Sequence, residues 1–480
     1  MFELPEIRGV LQGFNPWWIE KNIIVPEFKR LAFHACSQLL ETPEFKRAIL
    51  LSGPRRVGKT TLLLQLVEKY LKKGVSANSI LYLSLDHPLL KLISLPRILK
   101  LYHETIQPEK EPVLLLLDEI QYTYNWDIEL KQLIDHNPEY KIVVTGSTSA
   151  LHQSKLSESG VGRWISLPMP TLNFYEFVWI RGEKIDRDVS LPKPFELLKY
   201  SSNDLFKIKQ QLRPLMPLFL RYLLTGGFPE TAVQKDIMLS QRILREDVVE
   251  RVLKRDMAAL FGIRRVAELE KLFIYLCIHS GEIFSARSCA SALEQNSITI
   301  VKHINFLEKA NLVYRVEQEK LTGKTILRGK PKIYIVDSAL ANAVLLRGQE
   351  ILNDPKSMGR IVETTVLRHL YAYYYRDTPR IGYWRDARTQ EEVDIIVRSP
   401  AYVIPVEIKY RNRAGIPEKC GLRTFCSAEE ITYGLWITQN EDDLDVKTLN
   451  ESSTPILRIP AHIFCYLIGL AERTLWERKE

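Results

Sequence analysis

Two groups of residues in this 480-residue chain have the types and spacing that chemistry on phosphates needs. The first is Gly53-Pro54-Arg55-Arg56-Val57-Gly58-Lys59-Thr60, a full G-x-x-x-x-G-K-[ST] string. It follows the apolar run Ala48–Ser52 and precedes the amphipathic run Thr61–Lys73, which Gly74 stops. Glycines let the backbone wrap phosphate oxygens with its N–H groups, and the start of the helix, with Thr61, adds the positive end of its dipole. Lys59 supplies a charge for the β- and γ-phosphates, and Thr60 a hydroxyl for Mg²⁺. Asp118-Glu119 completes the group at the end of the leucine run Leu114–Leu117, with Asp118 58 residues beyond Thr60. Asp118 is placed to bind the Mg²⁺ shell, and Glu119 to orient or deprotonate the attacking water. A third strand-like run, KIVVTGSTSA over Lys141–Ala150, ends in polar residues. Ser147, or Thr145, is positioned there to sense the γ-phosphate; an ordinary Ser/Gly-rich turn is the alternative. Arg163 is a candidate to approach phosphate in cis or from a neighbouring copy, or else a surface arginine. This group implies binding and hydrolysis of ATP with Mg²⁺.

The second group is Glu363, Asp394, Glu407 and Lys409. Asp394 begins the β-run Val393–Val397, a turn follows at Ser399-Pro400, and the next run ends Val406-Glu407-Ile408-Lys409. Strand alternation puts Glu407 and Lys409 on one face, and a paired strand lets Asp394 share it. Asp394 and Glu407 would hold Mg²⁺, with Glu363 joining through water. The metal would stabilise charge on a scissile phosphate while Lys409 orients or activates water. The alternative is a fold kept for binding or packing without cleavage. Trp384-Arg385, just before this group, reads as a base or phosphate contact or as a core tryptophan.

The elements that must position these residues fall into segments. Residues 1–46 form a lead-in. Residues 47–180 alternate short apolar runs with helices, the rhythm of a parallel α/β sheet of the P-loop type. Residues 181–265 are mostly helical. Over 266–345 three helices precede two β-runs, Leu312–Val316 and Lys332–Val336, the order of a winged helix. Its basic loop carries Lys320, Lys324, Arg328, Lys330 and Lys332, with Gly323 and Gly329 for bends. The third helix and this loop make a workable surface for nucleic acid, DNA first. Residues 346–480 return to mixed α/β.

The composition bounds the function classes. Hydrophobic residues are 46% and charged residues 26%, which excludes disordered and fibrous classes. A net charge of +8 permits an anionic partner without naming one. The six cysteines form no C-x-x-C pair or zinc spacing, as in a reduced, cytoplasmic protein. No signal-peptide pattern opens the chain, and no apolar run approaches the ~20 residues of a membrane helix.

In order, GPRRVGKTT, LLLLDEIQYTYNW, VVTGSTSA, GRWISLPMPTLNFYEF and GGFPE resemble AAA-type P-loop ATPases of archaea and bacteria. These are related to STAND NTPases and carry a C-terminal nuclease-like domain, called DUF4143 in bacterial members. The resemblance implies a G-x-P turn that contacts the nucleotide base, matched here by Gly227-Phe228-Pro229. It also implies that D-x(12)-E-x-K belongs to a PD-(D/E)XK restriction-endonuclease-like domain, with Glu363 as its helix glutamate. The expected function is an ATP-hydrolysing protein acting on DNA through a Mg²⁺-dependent nuclease. A STAND-like switch that moves on nucleotide binding and engages DNA or a protein partner without cleavage is the second expectation. A DNA-binding regulator with both enzyme folds structural is the third. A role for Arg163 across copies would require a homo-oligomer.

Overall fold

The computed structural model describes residues 4–42, 44–108, 111–146, 162–183, 191–258, 262–263, 265–319, 329–375, 380–411, 415–429, 431–449 and 454–475. Ser147 and most of the basic loop (Lys320, Gly323, Lys324 and Arg328) lie outside the described residues. The chain divides into two compact units, Met1–Pro170 with Lys309–Asn311, and Thr171–Glu308 with Leu312–Glu480.

The first unit is built on five strands: β1 (Ala48–Ser52), β2 (Ile80–Ser84), β3 (Leu114–Asp118), β4 (Lys141–Gly146) and β5 (Trp164–Pro168). They lie in the order β2-β3-β4-β1-β5, and every neighbouring pair is parallel. Leu115, Leu116 and Leu117 on β3 are fully buried, as a strand covered on both faces requires. The helix Lys59–Lys72 follows β1, and Gly74 after it has φ +81°, which suits a residue without Cβ.

The lead-in is an integral part of this unit. The buried Asn15 carboxamide bonds both backbone groups of Tyr82 on the edge strand β2: its Nδ2 donates to the carbonyl at 2.9 Å, and its Oδ1 accepts the N–H at 2.7 Å. The indole N–H groups of Trp17 and Trp18 both donate to the carbonyl of Ile80, at 3.1 and 3.0 Å. One side chain thus does for the edge what a further strand would do, satisfying backbone groups that would otherwise be left open.

The second unit contains an eight-stranded mixed sheet. Its strands are β6 (Val313–Glu319), β7 (Lys332–Ile335), β8 (Arg380–Arg385), β9 (Glu392–Ser399), β10 (Tyr402–Lys409), β11 (Gly434–Thr438), β12 (Asp445–Thr448) and β13 (Pro455–Pro460). The order is β12-β13-β11-β10-β9-β8-β6-β7. The helices Val266–Ile278, Ala286–Leu293 and Ser297–Lys309 precede the antiparallel pair β6–β7. That ribbon is not free-standing: the far end of β6 pairs in parallel with β8 (Glu317 opposite Gly382), so the ribbon forms one edge of the C-terminal sheet. Trp384 packs in the core against Phe425, ring centroids 5.7 Å apart, which removes it from the base-contacting candidates. The Gly226-Gly227 turn is clamped within this unit. Gly227 N–H donates to Asp337 Oδ2 at 2.9 Å, and a Cβ on Gly227 would stand 2.4 Å from the carbonyl oxygen of Leu172.

All six cysteines are free thiols, five of them buried. No helix among the described residues is long and apolar enough to cross a membrane. Replacing Asn15 with alanine strips two bonds from the β2 backbone, and the expected loss is about 1–3 kcal/mol of local stability. Hydrogen exchange at the Tyr82 amide checks this; unchanged protection would contradict it.

Candidate functional site

The phosphate-binding candidates occupy the carboxyl end of β1. Gly58 (φ +95°) and Arg56 (φ +62°) adopt left-handed backbone and turn the loop into the helix that starts at Lys59. At Gly53 a Cβ would stand 2.1 Å from the Met169 carbonyl oxygen, so only glycine fits. Lys59 is buried, its ammonium donating to the carbonyls of Gly53 (3.0 Å) and Pro54 (2.9 Å). Arg30, from just before the helix Leu31–Glu41, reaches the loop from the side. It donates to the carbonyls of Val57 and Pro170, each at 2.8 Å, and no motif had pointed to it.

Strand β4 lies between β1 and β3, so the side chains must span it. Thr60 Oγ1 donates to Asp118 Oδ2 at 2.7 Å, and Tyr82 OH donates to the same oxygen at 3.0 Å. Thr145 on β4 donates to Asp118 Oδ1 and accepts the Glu119 N–H at 3.1 Å. Thr145 therefore fixes the carboxylate pair, and its hydroxyl is spent there rather than aimed at a phosphate. Burial and the neighbouring Asp118 hold the Tyr82 phenol well above its ordinary range, so it stays a donor. Glu119 sits at φ +55°, a conformation that costs a non-glycine residue about 1–3 kcal/mol and recurs where function demands it. Gln121 Nε2 donates to its Oε2.

Arg163 is elsewhere. Its carbonyl accepts the N–H of Ala48, at the start of β1, and its guanidinium pairs with Asp135 at 2.8 Å. The loop Gly53–Thr60 leaves the opposite end of that strand. This placement takes Arg163 away from the loop of its own copy; a half-exposed arginine paired with Asp135 and an approach from a neighbouring copy are the readings that stand. Pro229 belongs to the second unit, at the first position of the short helix Pro229–Val233.

The second group comes together on β9, β10 and the helix Pro355–Tyr374, which Asp354 caps through the Lys356 N–H at 3.1 Å. Asp394 Oδ2 accepts the N–H of Ile408 at 2.8 Å and lies 3.7 Å from Lys409 Nζ. Lys409 also pairs with Glu407 Oε1. The other oxygen, Glu407 Oε2, is buried and has no hydrogen-bond partner. Glu363 lies nearby, but its Oε1 is taken by Tyr334 OH at 2.6 Å and Lys332 Nζ at 3.3 Å. Lys332 pairs as well with Glu392 Oε1 at 2.6 Å and is only 2% exposed. It is therefore no part of an exposed basic wing. Lys332, Tyr334 and Glu392 were not singled out for this site; the alternation Lys332-Ile333-Tyr334 was the available signal for two polar side chains on one face.

Burial raises the Glu407 carboxyl to about 8, and the adjacent Asp394 adds to the rise against the pull of Lys409. Burial also raises Glu363, opposed by Lys332. For Lys332 burial acts downward, but Glu363, Tyr334, Asp394 and Glu392 outweigh it and hold the ammonium protonated. Among the described residues no group of three or more His, Cys, Asp or Glu could hold a metal. A hard cation that keeps several waters still fits Asp394 with the unpartnered Glu407 oxygen.

Two outcomes follow. Arg30→Ala should weaken ATP affinity about tenfold, since the charge-assisted bond to the loop carbonyl of Val57 is lost together with its anchor at Pro170; unchanged affinity by calorimetry would contradict this. Glu407 binds a proton more tightly folded than unfolded, so its contribution is present at low pH and is lost as pH rises from its ordinary value through about 8. Glu407→Gln should therefore flatten the fall in melting temperature between pH 5 and 8, and an unchanged profile would contradict the shift.

Residues 45–178 match the AAA domain family, residues 216–351 a domain of unknown function (DUF8612) and residues 358–459 another (DUF4143). The uncharacterized protein MJ1637 of Methanocaldococcus jannaschii is 30% identical over 338 residues, 68% of this chain and 68% of that protein. An uncharacterized protein of Haemophilus influenzae is 24% identical over 388 residues, 79% of this chain and 86% of that one. Among solved structures, AMPPCP-bound DnaA from Aquifex aeolicus is 18% identical, covering 62% of this chain and 92% of its own, at a TM-score of 0.29. The Aeropyrum pernix ORC1 protein in complex with DNA is 13% identical, covering 69% of this chain and 96% of its own, at 0.30. The chain belongs to the family of MJ1637, as an AAA-type ATPase whose C-terminal region is of the DUF4143 kind.

Proposed function

We propose that this is an ATP-dependent protein acting on DNA, with the first unit as its ATPase and residues 346–480 as a PD-(D/E)XK-like, Mg²⁺-dependent nuclease. One observation carries the reading: Thr60 of the lysine-bearing loop bonds Asp118, and Lys409 pairs with both Asp394 and Glu407. In the ATPase, Lys59 is poised to exchange the Gly53 and Pro54 carbonyls for β- and γ-phosphate oxygens. Thr60 and Asp118, already bonded to each other, are the pair that would hold Mg²⁺, which would neutralise charge on the transferred phosphoryl group. Glu119 orients the attacking water, and Ser147 senses the γ-phosphate. Arg163, paired with Asp135 at the far end of the sheet, serves a neighbouring copy in a homo-oligomer.

In the C-terminal site Asp394 and Glu407 would hold Mg²⁺, which would stabilise charge on the scissile phosphate, and Lys409 would orient the water. The helices Val266–Ile278, Ala286–Leu293 and Ser297–Lys309 with the β6–β7 ribbon act as a winged helix that brings DNA to this face. The STAND-like switch keeps one observation in its favour: an internal ammonium, Lys332, already neutralises Glu363.

The test mixes the purified chain with Mg²⁺ and plasmid or single-stranded DNA, with and without ATP. Cleavage is expected, falling about 100-fold or more in Asp394→Ala and Lys409→Ala. ATP turnover should vanish in Glu119→Gln with binding intact, and binding should vanish in Lys59→Ala. Tight nucleotide binding with slow turnover and no cleavage would favour the switch.

A further inference from the structure

We infer that Lys332 serves as a built-in cation for the Glu363–Glu392 half of the carboxylate site, so that this domain takes one divalent ion, at Asp394 and Glu407, and not two. The inference rests on the metal-nuclease reading above and deepens it.

The four carboxylates divide cleanly by partner. Glu363 and Glu392 each give one oxygen to the Lys332 ammonium, at 3.3 and 2.6 Å. Tyr334 OH donates to the same Glu363 oxygen, and the Tyr383 ring lies 5.2 Å from the ammonium. Lysine is almost never this buried unless it is paired. Its strand is packed from behind as well: a Cβ on Gly281 would come within 3.0 Å of the Tyr334 ring and 3.5 Å of Glu363 Oε1. Ile283 bridges Lys332 through the backbone. Lys332 therefore has little room to withdraw.

The other half is different. Asp394 and Glu407 share Lys409, which is a third exposed, while Glu407 Oε2 is buried with no donor. Among the described residues that oxygen is a buried acceptor of the cluster left open for a cation. Four carboxylates face the Lys332 and Lys409 ammoniums, with Arg385 at the rim 3.4 Å from Glu392, so acidic groups outnumber basic ones and the room for a cation lies on the Asp394–Glu407 side. Two-metal sites hold their ions about 3.5–4 Å apart between shared carboxylates. Here a second ion at Glu363 would have to displace Lys332. Among the described residues no third carboxylate joins Asp394 and Glu407, which suits an ion that fills its shell with water and substrate oxygens.

Titrating the nucleotide-free full chain with Mn²⁺, read by the loss of the free-ion magnetic resonance signal, tests this without any activity. The ions belonging to this site are those lost in Asp394→Ala. One is expected in the wild type, and one, bound within about threefold of wild-type affinity, in Glu363→Gln. Lys332→Met should gain a second ion that Lys332→Met with Glu363→Gln loses; Lys332→Arg should keep one. Two ions in the wild type, a tenfold or greater loss of affinity in Glu363→Gln, or a folded Lys332→Met that still takes one, would overturn the role of Lys332 alone. No Asp394-dependent ion at all would overturn the nuclease reading with it. Should Lys332→Met fail to fold, the wild-type count and Glu363→Gln decide.

Discussion

A carboxylate removed from water needs a donor or a cation, because an ionised group left bare in the interior costs several kcal/mol. Both sites of this chain are organised around meeting that need without using up every acceptor. Asp118 is held by three hydroxyls, from Thr60, Tyr82 and Thr145, each on a different element. Hydroxyls satisfy the carboxylate without adding a counter-charge beside it. The C-terminal group uses lysines instead. There the charge is partly cancelled, and Glu407, with one oxygen unpartnered, is pushed upward until it holds a proton near neutrality.

The regions matched to DUF8612 and DUF4143 meet in one sheet through β6, which pairs with β8 on one side and with β7, the strand that carries Lys332, on the other. β7 delivers Lys332 and Tyr334 to Glu363, and a few residues on Asp337 grips the Gly226-Gly227 turn while capping the helix Ser338–Val344. A short stretch of chain therefore touches both the carboxylate cluster and the turn. A ribbon that carried only an exposed wing would not need a buried lysine or parallel pairing to β8.

Much of this was legible in the residues themselves. Apolar runs bounded by turns mark β1 to β4 to within a residue or two, because strands buried on both faces have no polar interruptions. The glycines and lysine of Gly53–Thr60 have few other uses in that order. Strand alternation was enough to bring Asp394, Glu407 and Lys409 to one face. What was hidden depends on contacts distant in sequence. Asn15 clamps a strand 67 residues away, and Arg30 reaches a carbonyl 140 residues on. Lys332 sits among basic neighbours, so its charge reads as solvated until the parallel pairing of β6 with β8 turns it inward. Arg163 was left between three readings because spacing does not say which end of a parallel strand a residue adjoins.

The most direct measurement is an anomalous difference map from crystals of the full chain grown with Mn²⁺ and a non-hydrolysable ATP analogue. One peak is expected beside Thr60 and Asp118 and one beside Asp394 and Glu407, with the Lys332 ammonium still between Glu363 and Glu392. A peak between Glu363 and Glu392, or none beside Asp118 with the analogue bound, would contradict this arrangement.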